Sequence, residues 1–190
     1  MRNNYFMVHG TFGDASYHWF GWLKKELEKL GYECIAPGFE TKEGINNYDI
    51  RKKILKDYVD KGIINENTVF IGHSSGPIVV AKFLLEEHIN VKGIISVSGF
   101  NNADVPYDEY NKINRDFYID DDNLKMINDY VKFIICYYSD NDPYLNQDDL
   151  ERFAILTGAD KRFISGAMHF NTDSGYTTFF DLLDMISLLK

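Results

Sequence analysis

Short apolar runs rich in β-branched and aromatic residues recur along this chain, separated by stretches whose apolar positions return at helical spacing. The runs Tyr5–Val8, Glu33–Ile35, Thr68–Ile71, Gly93–Val97, Lys132–Tyr138 and Lys161–Ile164 predict strands. Helices are predicted near Trp19–Leu30, Tyr48–Lys61, Ile78–Glu87, Asp122–Asp129, Asp148–Thr157 and Tyr176–Leu189. Gly31 follows the first of them where a left-handed cap is expected. The strand runs alternate little in polarity, as strands buried on both faces should. Regular strand–helix alternation implies α/β architecture: a three-layer α/β/α sandwich around about six parallel strands joined by right-handed crossovers. At 190 residues, one domain over 1–190 is expected.

One segment breaks the rhythm. Residues 100–118 carry three tyrosines and two phenylalanines among polar residues, directly after a strand. Loops of this length are usually functional covers or disordered, and the aromatic content argues against disorder. The segment reads as a short lid over a site, with an ordinary packed excursion as the alternative. Trp19, Phe20 and Trp22 open an amphipathic helix and read as core, with a place in the pocket lining as the alternative.

Composition narrows the function classes. The 45% apolar and 15% aromatic content describes a globular chain. A net charge of −9 without a Lys/Arg cluster excludes a nucleic-acid surface, and favours a neutral or cationic substrate over a strongly anionic one. Cys34 and Cys136 lie inside apolar runs, so buried free thiols and a reducing compartment are expected. No leader-like segment precedes the first strand and no apolar stretch is long enough to span a bilayer, so a cytoplasmic protein without a membrane partner is expected. Asp120-Asp121-Asp122 reads as a solvated helix start, and no residue spacing suggests a metal or another cofactor.

The strand Thr68–Ile71 runs into Gly72-His73-Ser74-Ser75-Gly76, and a helix-compatible run follows. This G-x-S-x-G, set between strand and helix, is the pattern of a nucleophile elbow, with Ser74 as nucleophile and glycines where side chains would strike the neighbouring strand and helix. Of five histidines, His169 lies in a loop after the last strand, at the sheet edge that carries Ser74, and is the best general base. His73 adjoins the serine but points elsewhere and lines the pocket. His18 could reach its mouth, and His88 sits at a helix end. The orienting acid should follow the strand Lys132–Tyr138, where Asp140 and Asp142 compete. Asp142 is favoured because Pro143 biases it to an extended conformation in a fixed turn. An oxyanion hole needs two backbone amides. Ser75 supplies one, and the loop His9-Gly10-Thr11-Phe12 the other, from Thr11 first and Phe12 second. His9, Gly10 and Phe12 would then line the pocket.

With the aromatic stretch Trp19-Phe20-Gly21-Trp22-Leu23, Asp142-Pro143-Tyr144 and Gly166-Ala167-Met168-His169-Phe170-Asn171, these motifs give a chain that resembles the α/β-hydrolase superfamily almost from end to end. Within it the chain is similar to small serine hydrolases related to retinoblastoma-binding protein 9 and to bacterial predicted esterases. The resemblance implies a minimal hydrolase fold lacking the first two strands of larger members, with Ser74, Asp142 and His169 as triad. Asn146 departs from the pattern, since proline is common at that place. The resulting expectation is a carboxylesterase-like serine hydrolase that cleaves a small ester or related acyl bond through an acyl-enzyme. Two alternatives stand beside it: an amidase or aminoacyl peptidase with the same triad, and a non-catalytic binding module.

Overall fold

The computed structural model describes residues 3–189. The termini of the expected 1–190 domain, Met1, Arg2 and Lys190, lie outside the described residues. The strands are β1 (Asn4–Val8), β2 (Glu33–Ile35), β3 (Thr68–His73), β4 (Val91–Val97), β5 (Val131–Tyr138) and β6 (Asp160–Phe163), parallel and ordered β2-β1-β3-β4-β5-β6. The chain starts in β1, steps outward to β2, then crosses back to β3 on the other side of β1. The connections at the carboxyl ends of β1 and β3 therefore diverge, and in open parallel sheets ligands bind at such a switch point.

The helices are α1 (Phe20–Lys29), α2 (Asn47–Asp60), α3 (Gly76–Glu87), α4 (Asp108–Asn114), α5 (Asp121–Lys125), α6 (Gln147–Leu156) and α7 (Phe180–Leu188). Successive strand residues feed opposite cores, because side chains alternate across the sheet. Tyr5 and Met7 pack with Trp19 just before α1, with Leu23 and Leu27 of α1 and with Leu182 and Ile186 of α7. Phe6 and Val8 pack on the other face with Leu55 of α2, the buried residues Ile78, Val79, Phe83 and Leu84 of α3, and Phe153 of α6. Side-chain caps fix where helices start: Asn46 accepts from the Tyr48 and Asp49 amides at α2. Asn146 accepts from the Asp149 amide at α6, so the asparagine at the usual proline position is a helix cap. Gly31 and Tyr32 amides close α1 onto the Glu28 and Leu27 carbonyls.

Three expectations need correction. Edge strand β6 is exposed along its whole length instead of buried on both faces, which its Asp-Lys-Arg sequence suits. The helix expected over 122–129 is the short α5 followed by a 3-10 turn, Met126–Asp129. The last helix begins at Phe180 rather than Tyr176, because Asn171 and Ser174 cap a separate 3-10 turn, Thr172–Ser174. Within the 100–118 segment, α4 forms where no helix was expected. Phe100, Ala103 and Val105 tie the segment to Tyr138, Leu145 and Leu150 in a third small core.

Candidate active site

The elbow between β3 and α3 has the geometry its sequence requires. Ser74 sits at φ +58°, in the left-handed region a non-glycine residue seldom occupies. A Cβ on Gly72 would lie 2.7 Å from Pro77 N in α3, and one on Gly76 would lie 2.1 Å from the Val8 carbonyl oxygen in β1. The two glycines therefore let helix and strand close on the turn. The Ser74 amide donates to the Val97 carbonyl at 2.9 Å, which holds the turn against β4.

The histidine loop is laced to the loop after β5 by four consecutive residues. Ser139 Oγ donates to the Met168 carbonyl at 2.5 Å. Asp140 accepts from Ser165 Oγ and from the Gly166 amide, both at 2.8 Å. Asn141 Oδ1 accepts from the Met168 amide at 2.8 Å. His169 Nδ1 donates to Asp142 Oδ2 at 2.6 Å, while Asp142 Oδ1 accepts from the Tyr144 and Leu145 amides at 2.9 and 3.3 Å. The two sequence candidates for the acid thus divide the work: Asp140 fastens the loops and Asp142 meets the imidazole. His73 Nε2 donates to the His169 carbonyl at 2.8 Å, and Trp19 Nε1 to the Phe170 carbonyl at 2.9 Å. Met168 and Phe170, on either side of the histidine, are both left-handed at φ +52° and +50°. A backbone so strained persists only where its surroundings over-determine it.

Ser74 and His169 line the same cavity, of about 230 Å³, at the carboxyl edge of the sheet. No direct hydrogen bond joins the two side chains, and catalytic hydrogen bonds commonly tighten only as the reacting complex forms. Around them lie His9, Gly10, Thr11, Phe12 and His73, with His18, Tyr107, Tyr110, Asn114 and Tyr144. Tyr107, Tyr110 and Asn114 come from the 100–118 segment, so that segment walls the cavity as well as packing beneath it. Rings run in contact from Phe12 to Tyr110 (4.9 Å between centroids), Tyr107 (5.8 Å), Tyr144 (6.2 Å) and His169 (4.8 Å). The sequence sets Phe12 and the aromatic 100–118 segment near a site, but not the ring contacts that join them to Tyr144 and His169. His88 lies away from it, bonded to the Tyr130 hydroxyl.

The loop after β1 departs from expectation in one detail. The Thr11 amide, assigned to an oxyanion hole, donates here to Ser75 Oγ at 3.0 Å. Thr11 Oγ1 bonds Ser75 Oγ at 2.9 Å and donates to Asn114 Oδ1 at 2.5 Å. The Phe12 amide is turned toward Thr41 Oγ1 at 3.4 Å. The Ser75 amide, at the start of α3, has no acceptor among the described residues.

Two cavity histidines are held neutral. Burial pushes His9 from an ordinary 6.5 down to about 4, and its bonds fit one neutral tautomer: Nδ1–H donates to the Gly10 carbonyl and Nε2 accepts from the Phe39 amide. His73 is held well below its usual range, chiefly by burial and then by His169. Both groups bind protons more readily in the unfolded chain, so stability falls as pH drops from about 6.5 toward 4. His9 alone accounts for roughly 3 kcal/mol over that window. Urea unfolding at pH 7 and pH 4.5 should show the loss, and His9→Gln should reduce it; an unchanged midpoint would contradict the neutral assignment.

Among the described residues no cluster of three or more His, Cys, Asp or Glu side chains could hold a metal ion. No described helix is long and apolar enough to cross a membrane.

A family model described as serine hydrolase matches residues 5–187. In sequence the chain is 31% identical over 109 residues to YdeN of Bacillus subtilis (strain 168), covering 53% of this chain and 52% of that protein. It is 32% identical over 91 residues to the serine hydrolase RBBP9 of Rattus norvegicus, covering 46% and 45%. The chain thus spans about half the length of the curated relatives it matches. In fold, the crystal structure of the B. subtilis ydeN gene product superposes with a TM-score of 0.80 at 22% identity, over 97% of both chains. The B. subtilis carboxylesterase CesB gives 0.69 at 13% identity, over 98% of this chain and 82% of that one.

Proposed function

Because the chain belongs to the serine hydrolase family, we propose that it cleaves a small ester or related acyl bond with Ser74, His169 and Asp142. The observation that carries this reading is the 2.6 Å bond from His169 Nδ1 to Asp142, made at the cavity where Ser74 stands on its strained turn. With Nδ1–H committed to the carboxylate, Nε2 is the lone-pair nitrogen that takes the Ser74 proton as Oγ attacks the carbonyl carbon. His169 then returns that proton to the leaving alcohol, and a water activated by the same nitrogen releases the acyl group. The Ser75 amide is the oxyanion donor already free. Thr11 joins it when the developing anion, a stronger acceptor than a neutral hydroxyl, displaces Ser75 Oγ.

Among the described residues the cavity wall holds no lysine or arginine, while Asp14 and Asp173 stand at its rim. Neutral or cationic acyl substrates of small size therefore fit better than anionic ones. The buried thiols Cys34 and Cys136 suit the cytoplasm as its place of work.

A fluorophosphonate probe tests the reading: it should attach to Ser74, and p-nitrophenyl acetate should turn over at least tenfold faster than the anionic hemisuccinate. Faster turnover of aminoacyl amides than of esters would move the activity to amide cleavage. No labelling at all would leave a non-catalytic binding module.

A further inference from the structure

The loop after β1 is gripped from behind by a cation that no carboxylate neutralises. Arg51, in α2, is fully buried, and among the described residues it forms no ion pair. Its guanidinium lies against the rings of Phe117 (4.8 Å) and Phe39 (5.4 Å), and Nε has no acceptor. Burial alone pushes its pKa down to about 9. An apolar side chain of similar length would avoid that desolvation cost. What the guanidinium does make is two bonds to the backbone: Nη1 donates to the His9 carbonyl at 2.9 Å and Nη2 to the Gly10 carbonyl at 3.0 Å.

The Gly10 carbonyl is the informative partner. It also accepts from His9 Nδ1 at 2.8 Å and from the Gly13 amide at 3.2 Å, so three donors fix one oxygen. That oxygen and the Thr11 amide are opposite ends of one planar trans peptide. Fixing the oxygen on the α2 side turns the Thr11 N–H toward the elbow, where it meets Ser75 Oγ. The loop touches the nucleophile itself, since a Cβ on Gly10 would lie 2.8 Å from Ser74 Cβ. Rotating this peptide by half a turn would present a carbonyl oxygen to the developing oxyanion instead of a donor.

We infer that Arg51 is a positioning residue for the oxyanion hole, holding the Gly10–Thr11 peptide with its N–H toward the elbow and polarising that N–H through the charge at the carbonyl end. The inference rests on the hydrolase reading above and adds to it a residue that touches neither substrate nor nucleophile.

The experiment compares Arg51→Lys, which keeps the charge but loses the fork, with Arg51→Met, which loses both. Folding is checked by circular dichroism. With p-nitrophenyl acetate, kcat should fall about 10- to 100-fold in R51M and less in R51K, because weakening one oxyanion donor costs up to about 10² to 10³. KM should stay within about twofold, and affinity for a trifluoromethyl ketone, which mimics the tetrahedral adduct, should fall in step with kcat. If R51M does not fold, the same comparison is read from R51K. A folded variant with unchanged kcat, or one whose loss is confined to melting temperature or KM, overturns the inference. An inactive wild-type protein that also resists the fluorophosphonate overturns the hydrolase reading instead.

Discussion

Replacing Ser74 with alanine should lower kcat by roughly four to six orders of magnitude while the fold survives. The two halves of that expectation have separate grounds. Members of a working triad act as a unit, so loss of the nucleophile removes nearly all the catalysis they provide together. The remainder is what the Ser75 amide and the cavity give to attack by water. Stability should hardly change, because the Ser74 hydroxyl has no hydrogen-bond partner among the described residues and its removal strands no buried group. The left-handed backbone at φ +58° is as strained for alanine as for serine. Steady-state turnover and a thermal melt on one purified preparation check both halves. Loss of less than tenfold would remove Ser74 from the chemistry, and a collapsed melt would mean that the turn depends on the hydroxyl after all.

The parts of this molecule that could be read from the chain are those in which chemistry and local structure share a short segment. The elbow is legible because Gly72, Ser74 and Gly76 answer steric demands set by the strand before and the helix after them. The six strands are legible because an apolar run between helical segments has few other fates in an α/β chain. Edge position is not local information, so the strand pattern alone does not separate the exposed β6 from the buried strands, although its Asp-Lys-Arg residues suit an edge. Arg51 lies in a helix that reads Asp-Ile-Arg-Lys-Lys, where an arginine looks like one more solvated charge; its burial follows only when Phe39 and Phe117 close over it from distant segments. The aromatic content of 100–118 and the pocket position of Phe12 are legible, but the contacts that join Phe12, Tyr107, Tyr110 and Tyr144 into one wall are not, since these residues come from three separate segments. Thr11 is an intermediate case. Its place in the loop is visible in the sequence, but the bond of its amide to Ser75 Oγ depends on a hydroxyl that the elbow pattern leaves unspecified.

Asp140 and Asp142 lie two residues apart on one loop, and amide substitution should separate them by orders of magnitude. In Asp142→Asn the Oδ1 position can keep accepting from the Tyr144 and Leu145 amides, so the turn is preserved and the new NH₂ faces His169 Nδ1. An amide donor there requires Nδ1 to accept, which moves the ring proton to Nε2 and leaves no lone pair to take the proton of Ser74. Loss of the order of 10⁴ in kcat follows from that wrong tautomer, with the fold intact. Asp140→Asn meets different partners. Its oxygen can still accept from the Gly166 amide, and the Ser165 hydroxyl can turn to accept from the new NH₂. Activity should then fall less than tenfold, with at most a small drop in melting temperature. Turnover of both variants across pH 6 to 9 decides the matter, because a tautomer defect stays large throughout that range whereas a loosened loop does not reproduce it. Equal losses would mean that the lacing of the two loops, rather than the charge beside the imidazole, sets the rate.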